Sequence, residues 1–301
     1  MRILLYVLMQ VAVLVVVSIV GSIILSLFGI SLSGSSYTGL LVMCAIFGCV
    51  GSLISLFMSK SMCKKAFGVR TLVSPTNARE AFLMQTVSEL AQRSGLNMPE
   101  VGIYESNDLN AFATGHNRNA ALVAVSSALL YNMNENEIKG VLGHEISHVA
   151  NGDMVTMTLL QGVLNTFVYF FSYIASMAIS AAMSGRNDDS DESSPGVGNP
   201  FVFYMVNSLF QVIFGILANM LLMWFSRWRE YRADAGSARL EGKNCMIEAL
   251  EALKRGTSIN SKRESQFSAL CISGPSSISE LFMSHPTLDK RIAALRALEA
   301  F

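Results

Sequence analysis

Three residues in the stretch Val141–Asp153 could do chemistry together: His144, Glu145 and His148, in the order H-E-x-x-H. On a helix the two histidines stand four residues apart, one turn above the other on a single face. Two imidazoles so placed can hold one Zn²⁺. Glu145, beside the first histidine, is placed to take a proton from water on the metal. A catalytic zinc takes three protein ligands and keeps a fourth position open, so the rest of the chain must supply the third. With only four histidines in the chain, a chance match has a probability on the order of a per cent or less.

The choices for the third ligand are His116, His285 and the carboxylates. The best-placed carboxylate is Glu230, in SRWREYRAD (Ser226–Asp234). The helix bearing His148 leads into one apolar run and Glu230 emerges from the next. A tight hairpin would therefore return Glu230 to the depth of the histidines. The competing fate is a plain ion pair with Arg227 or Arg229. Asp234, four residues after Glu230, shares its helical face. It could accept the N–H of a metal-bound histidine, or form a surface salt bridge with a nearby arginine.

The elements that must position these residues are largely apolar. The chain has 301 residues, 51% hydrophobic and 15% charged, with a mean hydropathy of +0.43. Soluble domains carry about 25% charged residues, so the composition marks an integral membrane protein. Net charge is zero, and no basic field argues for nucleic acid. The five cysteines, two of them in an apolar run, show no C-x-x-C pairing. They indicate no disulfide framework, and a reducing compartment for the part outside the bilayer.

No charge appears between Arg2 and Lys60. Ile3–Leu27 and Leu40–Met58 are each long enough to cross the bilayer, joined by the uncharged turn Gly29–Thr38. A cleavable signal peptide is excluded by the length of the first run and by the second that follows at once. Lys60, Lys64, Lys65 and Arg70 put the end of the second run in the cytoplasm. Met154–Met183 and Phe201–Phe225 form a second hairpin around the acidic loop Ser184–Pro200, and Arg227, Arg229 and Arg232 again mark the cytoplasmic end. The two orientations agree, although each was read separately.

Between the hairpins the sequence is polar. Thr76–Ser94 has a helical period, with Gly95 as its stop. Glu100–Tyr104, Ala111–Thr114 and Ala120–Val125 read as strands. Asn134 is the expected N-cap of the helix bearing the motif, and Gly152 its stop. After the fourth run, Arg232–Arg255 reads as a helix broken near Gly242. Thr257–Gln266 reads as polar and mobile, and Leu288–Phe301 as a final amphipathic helix. The expected division is a transmembrane hairpin over 1–59, a catalytic segment over 60–153, the second hairpin over 154–226 and a further catalytic segment over 227–301.

HEISH (His144–His148) followed by EYRAD (Glu230–Asp234), with paired apolar runs, NAFATG (Asn110–Gly115) and SHP (Ser284–Pro286), resembles the M48 family of membrane zinc metalloproteases. The resemblance covers essentially the whole chain. It implies one Zn²⁺ held by His144, His148 and Glu230, with Glu145 as general base and Asp234 behind a ligand histidine. It also implies four transmembrane helices carrying a cytoplasmic α+β zincin-like domain, in the bacterial inner membrane. His285 matches a family position that would suit a donor to the developing oxyanion; a structural histidine capping a turn is the other reading. His116 reads as an ordinary loop residue. The strand Asn110, Ala111, Phe112, Ala113, Thr114 is expected to pair with extended substrate, or else only to pack on the metal helix. The partners implied are membrane-protein substrates, misfolded or damaged, and the lipid bilayer, in a stress response. Self-cleavage is expected within Thr257–Gln266. Two rivals remain. An intramembrane protease is disfavoured by the charges bracketing the motif. A non-enzymatic adaptor or transporter with a structural metal would not need Glu145.

Overall fold

In the computed structural model, residues 37–184, 200–264 and 283–298 are described. The first expected span, the acidic loop, residues 265–282 and the last three residues lie outside them. Among the described residues three helices are long and apolar enough to cross a membrane, at Gly39–Phe67, Asp153–Ser180 and Pro200–Glu241. The chain divides into two compact units, Met1–Ser55 with Thr158–Leu222 and Leu56–Met157 with Met223–Phe301.

In the first unit the helices meet through small residues. A Cβ on Gly48 would stand 2.7 Å from the Gly162 carbonyl, and one on Gly162 3.1 Å from the Cys49 Cα. Glycine is required at such a backbone approach.

The second unit carries the candidate chemistry. Helix α1 (Tyr37–Phe67) runs into it and ends at Gly68, φ 63°, nine residues beyond the expected end of the second run. Strand β1 (Arg70–Thr71) follows, then α2 (Ala78–Arg93), capped by the Asn77 side chain on the Glu80 N–H. Next come β2 (Glu100–Tyr104), β3 (Ala111–Thr114) and β4 (Leu122–Ser126). The sheet order is β1-β2-β4-β3, with β2 and β4 parallel and the outer pairs antiparallel. Strand β4 starts two residues later than expected, because Ala120 and Ala121 close the turn onto Gly115, whose φ is 154°. Strand β1 was not expected at all; two residues carry too little pattern to be read.

One face of the sheet, with Val101, Ile103, Val123 and Val125, packs on Leu83, Val87 and Leu90 of α2. Ile138, Leu142 and Ile146 of α4 close the same core. Helix α4 (Glu135–Asn151) follows the short α3 (Ser127–Asn132). Its start is the expected Asn134, closed into a capping box by Glu137, and its end is Gly152 at φ 69°. These caps satisfy the backbone groups a helix leaves open at each end.

Helix α5 (Asp153–Ser184) begins one residue later. Helix α6 runs unbroken from Pro200 to Glu241. The separate helix expected from Arg232 is therefore the same helix as the fourth apolar run, and the break falls at Gly242, φ 92°. Helix α7 (Lys243–Glu264) continues through Thr257–Glu264. The polar stretch is thus helical as far as Glu264: it lacks an apolar period but also lacks a helix breaker after Gly256. The last described helix, α8 (Leu288–Ala297), packs Ile292 and Leu295 against Ala238, Met246 and Leu250.

Helices α4, α6 and α7 approach closely at glycines. A Cβ on Gly143 would lie 2.7 Å from Ser237 Oγ, and one on Gly236 2.4 Å from Ser147 Oγ and 2.8 Å from its Cβ. A Cβ on Gly140 would meet the Cys245 carbonyl at 2.5 Å. The Ser237 hydroxyl donates to the Gly140 carbonyl at 2.7 Å, tying α6 to α4 at the crossing.

Candidate metal centre

Helix α4 buries Ile138, Val141, Leu142 and Val149 on the core side and turns His144 and His148 towards α6. There α6 presents Glu230, which is fully buried. The crossing through Gly143 and Gly236 sets the distance between the two helices.

The three side chains converge. His144 Nε2 and His148 Nε2 are 3.1 Å apart. Glu230 Oε2 is 3.4 Å from His144 Nε2, and Oε1 is 3.3 Å from His148 Nε2. With metal–ligand bonds of about 2.0–2.1 Å, two ligand atoms of a tetrahedral zinc stand about 3.3–3.4 Å apart. Each observed spacing is close to such an edge, with one Glu230 oxygen facing each imidazole. Among the described residues this is the group of three metal-ligating side chains close enough to share an ion.

The remaining nitrogens settle how the imidazoles are oriented. His144 Nδ1 lies 2.8 Å from Asp234 Oδ1, and His148 Nδ1 lies 2.6 Å from Asp153 Oδ2. Each carboxylate accepts the Nδ1–H and leaves the Nε2 lone pair for a metal. Asp234 is gripped by Arg291, Nε to Oδ2 at 2.8 Å and Nη2 to Oδ1 at 2.6 Å. The salt bridge expected at the surface is buried: Asp234 is 2% exposed and Arg291 6%.

The electrostatics call for a cation. Neither Glu230 oxygen receives an aligned hydrogen bond, although His285 Nδ1 stands 2.9 Å from Oε2. Arg229 and Arg291 come no nearer to that carboxylate than 3.8 and 3.5 Å. A buried carboxylate whose nearest neighbours are three imidazoles is well compensated only if those rings are charged or share a cation with it. Of the carboxylates around the two histidines, Asp234 and Glu230 share one buried arginine, and Asp153 pairs with His148. Burial works against the His148 imidazolium, yet the Asp153 and Glu230 carboxylates reverse this and hold its pKa up at about 9. Burial likewise opposes charge on His144, and Asp234 and Glu230 overcome it, raising that pKa too. The potential that favours a proton on these rings favours a divalent cation between them. The donor set, two imidazoles and a carboxylate, suits zinc.

The other expected site residues are placed as follows. Glu145 is half-buried on α4, next to His144 and three residues before His148. His285 is brought to the centre, its side chain 60% exposed. His116 stacks on Phe57, with centroids 5.5 Å apart, away from the ligands. Strand β3 is the outer strand of its sheet. Asn110 is exposed and Thr114 buried. Phe112 packs in a ring cluster with Phe67 and Tyr104, at 5.2 and 5.5 Å.

Two residues of the centre went unread. Asp153 lies five residues past His148, beyond the left-handed Gly152 that folds it back. Arg291 occupies the buried face of α8 with Leu288, Ile292 and Leu295, and a charge on the apolar stripe of an amphipathic helix was the available signal.

Residues 77–299 match the profile of peptidase family M48. The chain belongs to that family. It is 53% identical over 297 residues to the protease HtpX of Tolumonas auensis, covering 99% of both chains. It is 51% identical to that of Klebsiella pneumoniae over 300 residues, with the same coverage of both. The crystal structure of S. mikatae Ste24p superposes with a TM-score of 0.66 at 19% identity, and this chain spans 64% of that chain's length. At that identity the likeness shows the fold. Family membership, the His-His-Glu group and the three long apolar helices together make the chain a membrane metalloprotease.

Proposed function

We propose that the chain is a zinc endopeptidase that hydrolyses peptide bonds of misfolded or damaged membrane proteins as part of a stress response. It would work at the cytoplasmic face of the bacterial inner membrane. The observation that carries the reading is the convergence of His144 Nε2, His148 Nε2 and Glu230 at tetrahedral-edge distances.

In this reading His144, His148 and Glu230 hold the ion. Zinc bound there would supply a Lewis acid that polarises the scissile carbonyl and acidifies water. Glu145 accepts the proton of the attacking water and delivers it to the leaving amine. Asp234 and Asp153 keep the two imidazoles in the tautomer that offers Nε2. His285, open to solvent beside Glu230, is the donor to the developing oxyanion.

Substrate lies along β3. Ser126 N–H donates to the Asn110 carbonyl, so Phe112 and Thr114 continue the bonded register with β4. Ala111 and Ala113 then turn their N–H and C=O groups to the outer edge, where an extended chain can pair. A four-span arrangement, with transmembrane hairpins over 1–59 and 154–226 and catalytic segments over 60–153 and 227–301, keeps the centre where the bilayer presents its substrates.

The test is cleavage of a membrane-protein substrate by purified wild type and Glu145→Ala, with zinc measured in both. Zinc-loaded wild type that cleaves, beside zinc-loaded Glu145→Ala that does not, is the expected result. Zinc-loaded wild type without activity would favour a membrane adaptor instead. Glu230→Ala should lose the metal.

A further inference from the structure

Beside the metal centre is a cleft of about 250 Å³ whose lining includes Trp224, Arg227, Trp228, Tyr231, His285 and Lys290. Its volume is below the roughly 300–1,000 Å³ of small-molecule sites, enough for one headgroup or one side chain. Trp224, Trp228 and Tyr231 recur along α6 at intervals of four and three residues, so they form one wall. The two indoles are 63% and 47% exposed.

The charge of the lining has one sign. Arg227 and Lys290 contribute two cations, and none of the described lining residues is acidic. Arg232, outside the lining, stacks over the Trp228 ring, 4.9 Å from its centroid.

The position along α6 matters as much. Trp224 ends the apolar run Phe201–Phe225, and Tyr231 stands seven residues on, about 10 Å along the axis. That interval covers the headgroup layer beyond a hydrocarbon core about 30 Å thick. Tryptophan and tyrosine favour this layer, and lysine and arginine there attract anionic lipid.

We propose that this cleft seats the phosphate headgroup of an anionic phospholipid, with Arg227 and Lys290 on the phosphate and the two indoles against the glycerol and upper acyl chains. His285 lines the cleft and also lies 2.9 Å from Glu230 Oε2, so the seated headgroup abuts a residue of the metal centre. The proposal rests on membrane insertion of α6 and not on the peptidase reading.

Trp224 and Trp228 are the chain's two tryptophans, so its indole fluorescence reports on this cleft. The full-length protein is placed in nanodiscs of mixed phosphatidylcholine and phosphatidylglycerol, with bromine on the acyl chains of one lipid or the other. At equal mole fraction, brominated phosphatidylglycerol should quench at least threefold more strongly than brominated phosphatidylcholine. Lys290→Gln, and separately Arg227→Gln, should bring the ratio towards one. Lys65→Gln, the same charge change on another helix, should leave it unchanged. Equal quenching by the two lipids in wild type overturns the proposal, as does an equal fall in the ratio in Lys65→Gln. Reversal of quenching by inorganic phosphate would assign the cleft to a soluble anion. Reversal by a substrate peptide would assign it to a substrate side chain. Either reversal overturns the lipid seat. None of these readings requires zinc or cleavage, so they stand apart from any failure of the peptidase assignment.

Discussion

Asp234 serves two partners at once. Its Oδ1 meets His144 Nδ1 at 2.8 Å while the Arg291 guanidinium bridges both of its oxygens. Removing the guanidinium leaves a buried carboxylate drawn towards the histidine alone. Arg291→Met is expected to lower zinc affinity about 10–100-fold, the usual range for a residue behind a metal ligand. Arg291→Lys keeps the charge but loses the planar two-pronged grip, and should recover only part of that affinity. Competition with a chromophoric chelator measures both. Asp153 holds His148 in the same manner at 2.6 Å. Asp153→Asn, which can still accept from Nδ1–H, should lose less zinc affinity than Asp153→Ala in the same assay. Equal losses would mean that the charge matters and the hydrogen bond does not.

Among the elements, the crossing of α4 and α6 leaves no room for a side chain at its glycines. A methyl group on Gly236 would fall 2.8 Å from Ser147 Cβ, nearer than packed carbons come, so one helix must move. Gly236→Ala should cost roughly 1–3 kcal/mol, the penalty for overpacking, and weaken zinc binding by parting Glu230 from the histidines. Thermal unfolding and zinc content report the two effects. At the sheet edge, Ala111→Pro or Ala113→Pro removes an outward N–H without touching the β4 ladder. KM should rise sharply with zinc retained, and unchanged kinetics would remove β3 from substrate binding. The N-terminus of α2 is anchored by Glu80, which meets Arg70 at 2.6 Å and accepts from the Thr76 N–H and hydroxyl at 2.8 Å each. These partners hold the Glu80 carboxyl down from 4.5 to about 2. A folded pKa below the unfolded one adds stability that is complete above about 4.5 and lost as pH falls towards about 2. Wild type should therefore lose more stability than Glu80→Gln on acidification through that window.

Across the whole molecule, much of the centre was legible because short-range chemistry dictates it. Helix period set His144 and His148 on one face, Asn134 and Gly152 bounded their helix, and the apolar runs around residues 154–225 carried Glu230 back towards them. Arg291 and the glycine crossing escaped because each depends on a partner that the local pattern does not name. The continuous α6 escaped because polar sequence after an apolar run reads as an ending, whereas here the helix carries on as far as Gly242 in its left-handed conformation. Since both tryptophans lie in the second compact unit, their fluorescence also follows that unit's unfolding. Metal held about a thousandfold above its Kd contributes roughly 4 kcal/mol. Chelation should therefore lower the fluorescence-detected midpoint by on the order of 10 °C. No shift on chelation would show that the metal does not bridge α4 and α6.

The division of the ligands between α4 and α6 also sets an order of events during synthesis. His144 and His148 emerge early, and Glu230 comes 82 residues after His148. Between them lie the apolar stretches of two helices long enough to cross a membrane. Arg291, the clamp on Asp234, follows 61 residues after Glu230. A nascent or mis-inserted chain thus carries the H-E-x-x-H pair without the carboxylate that completes the ion's surroundings. The His-His-Glu group therefore closes only once α6 has been made and has returned to α4.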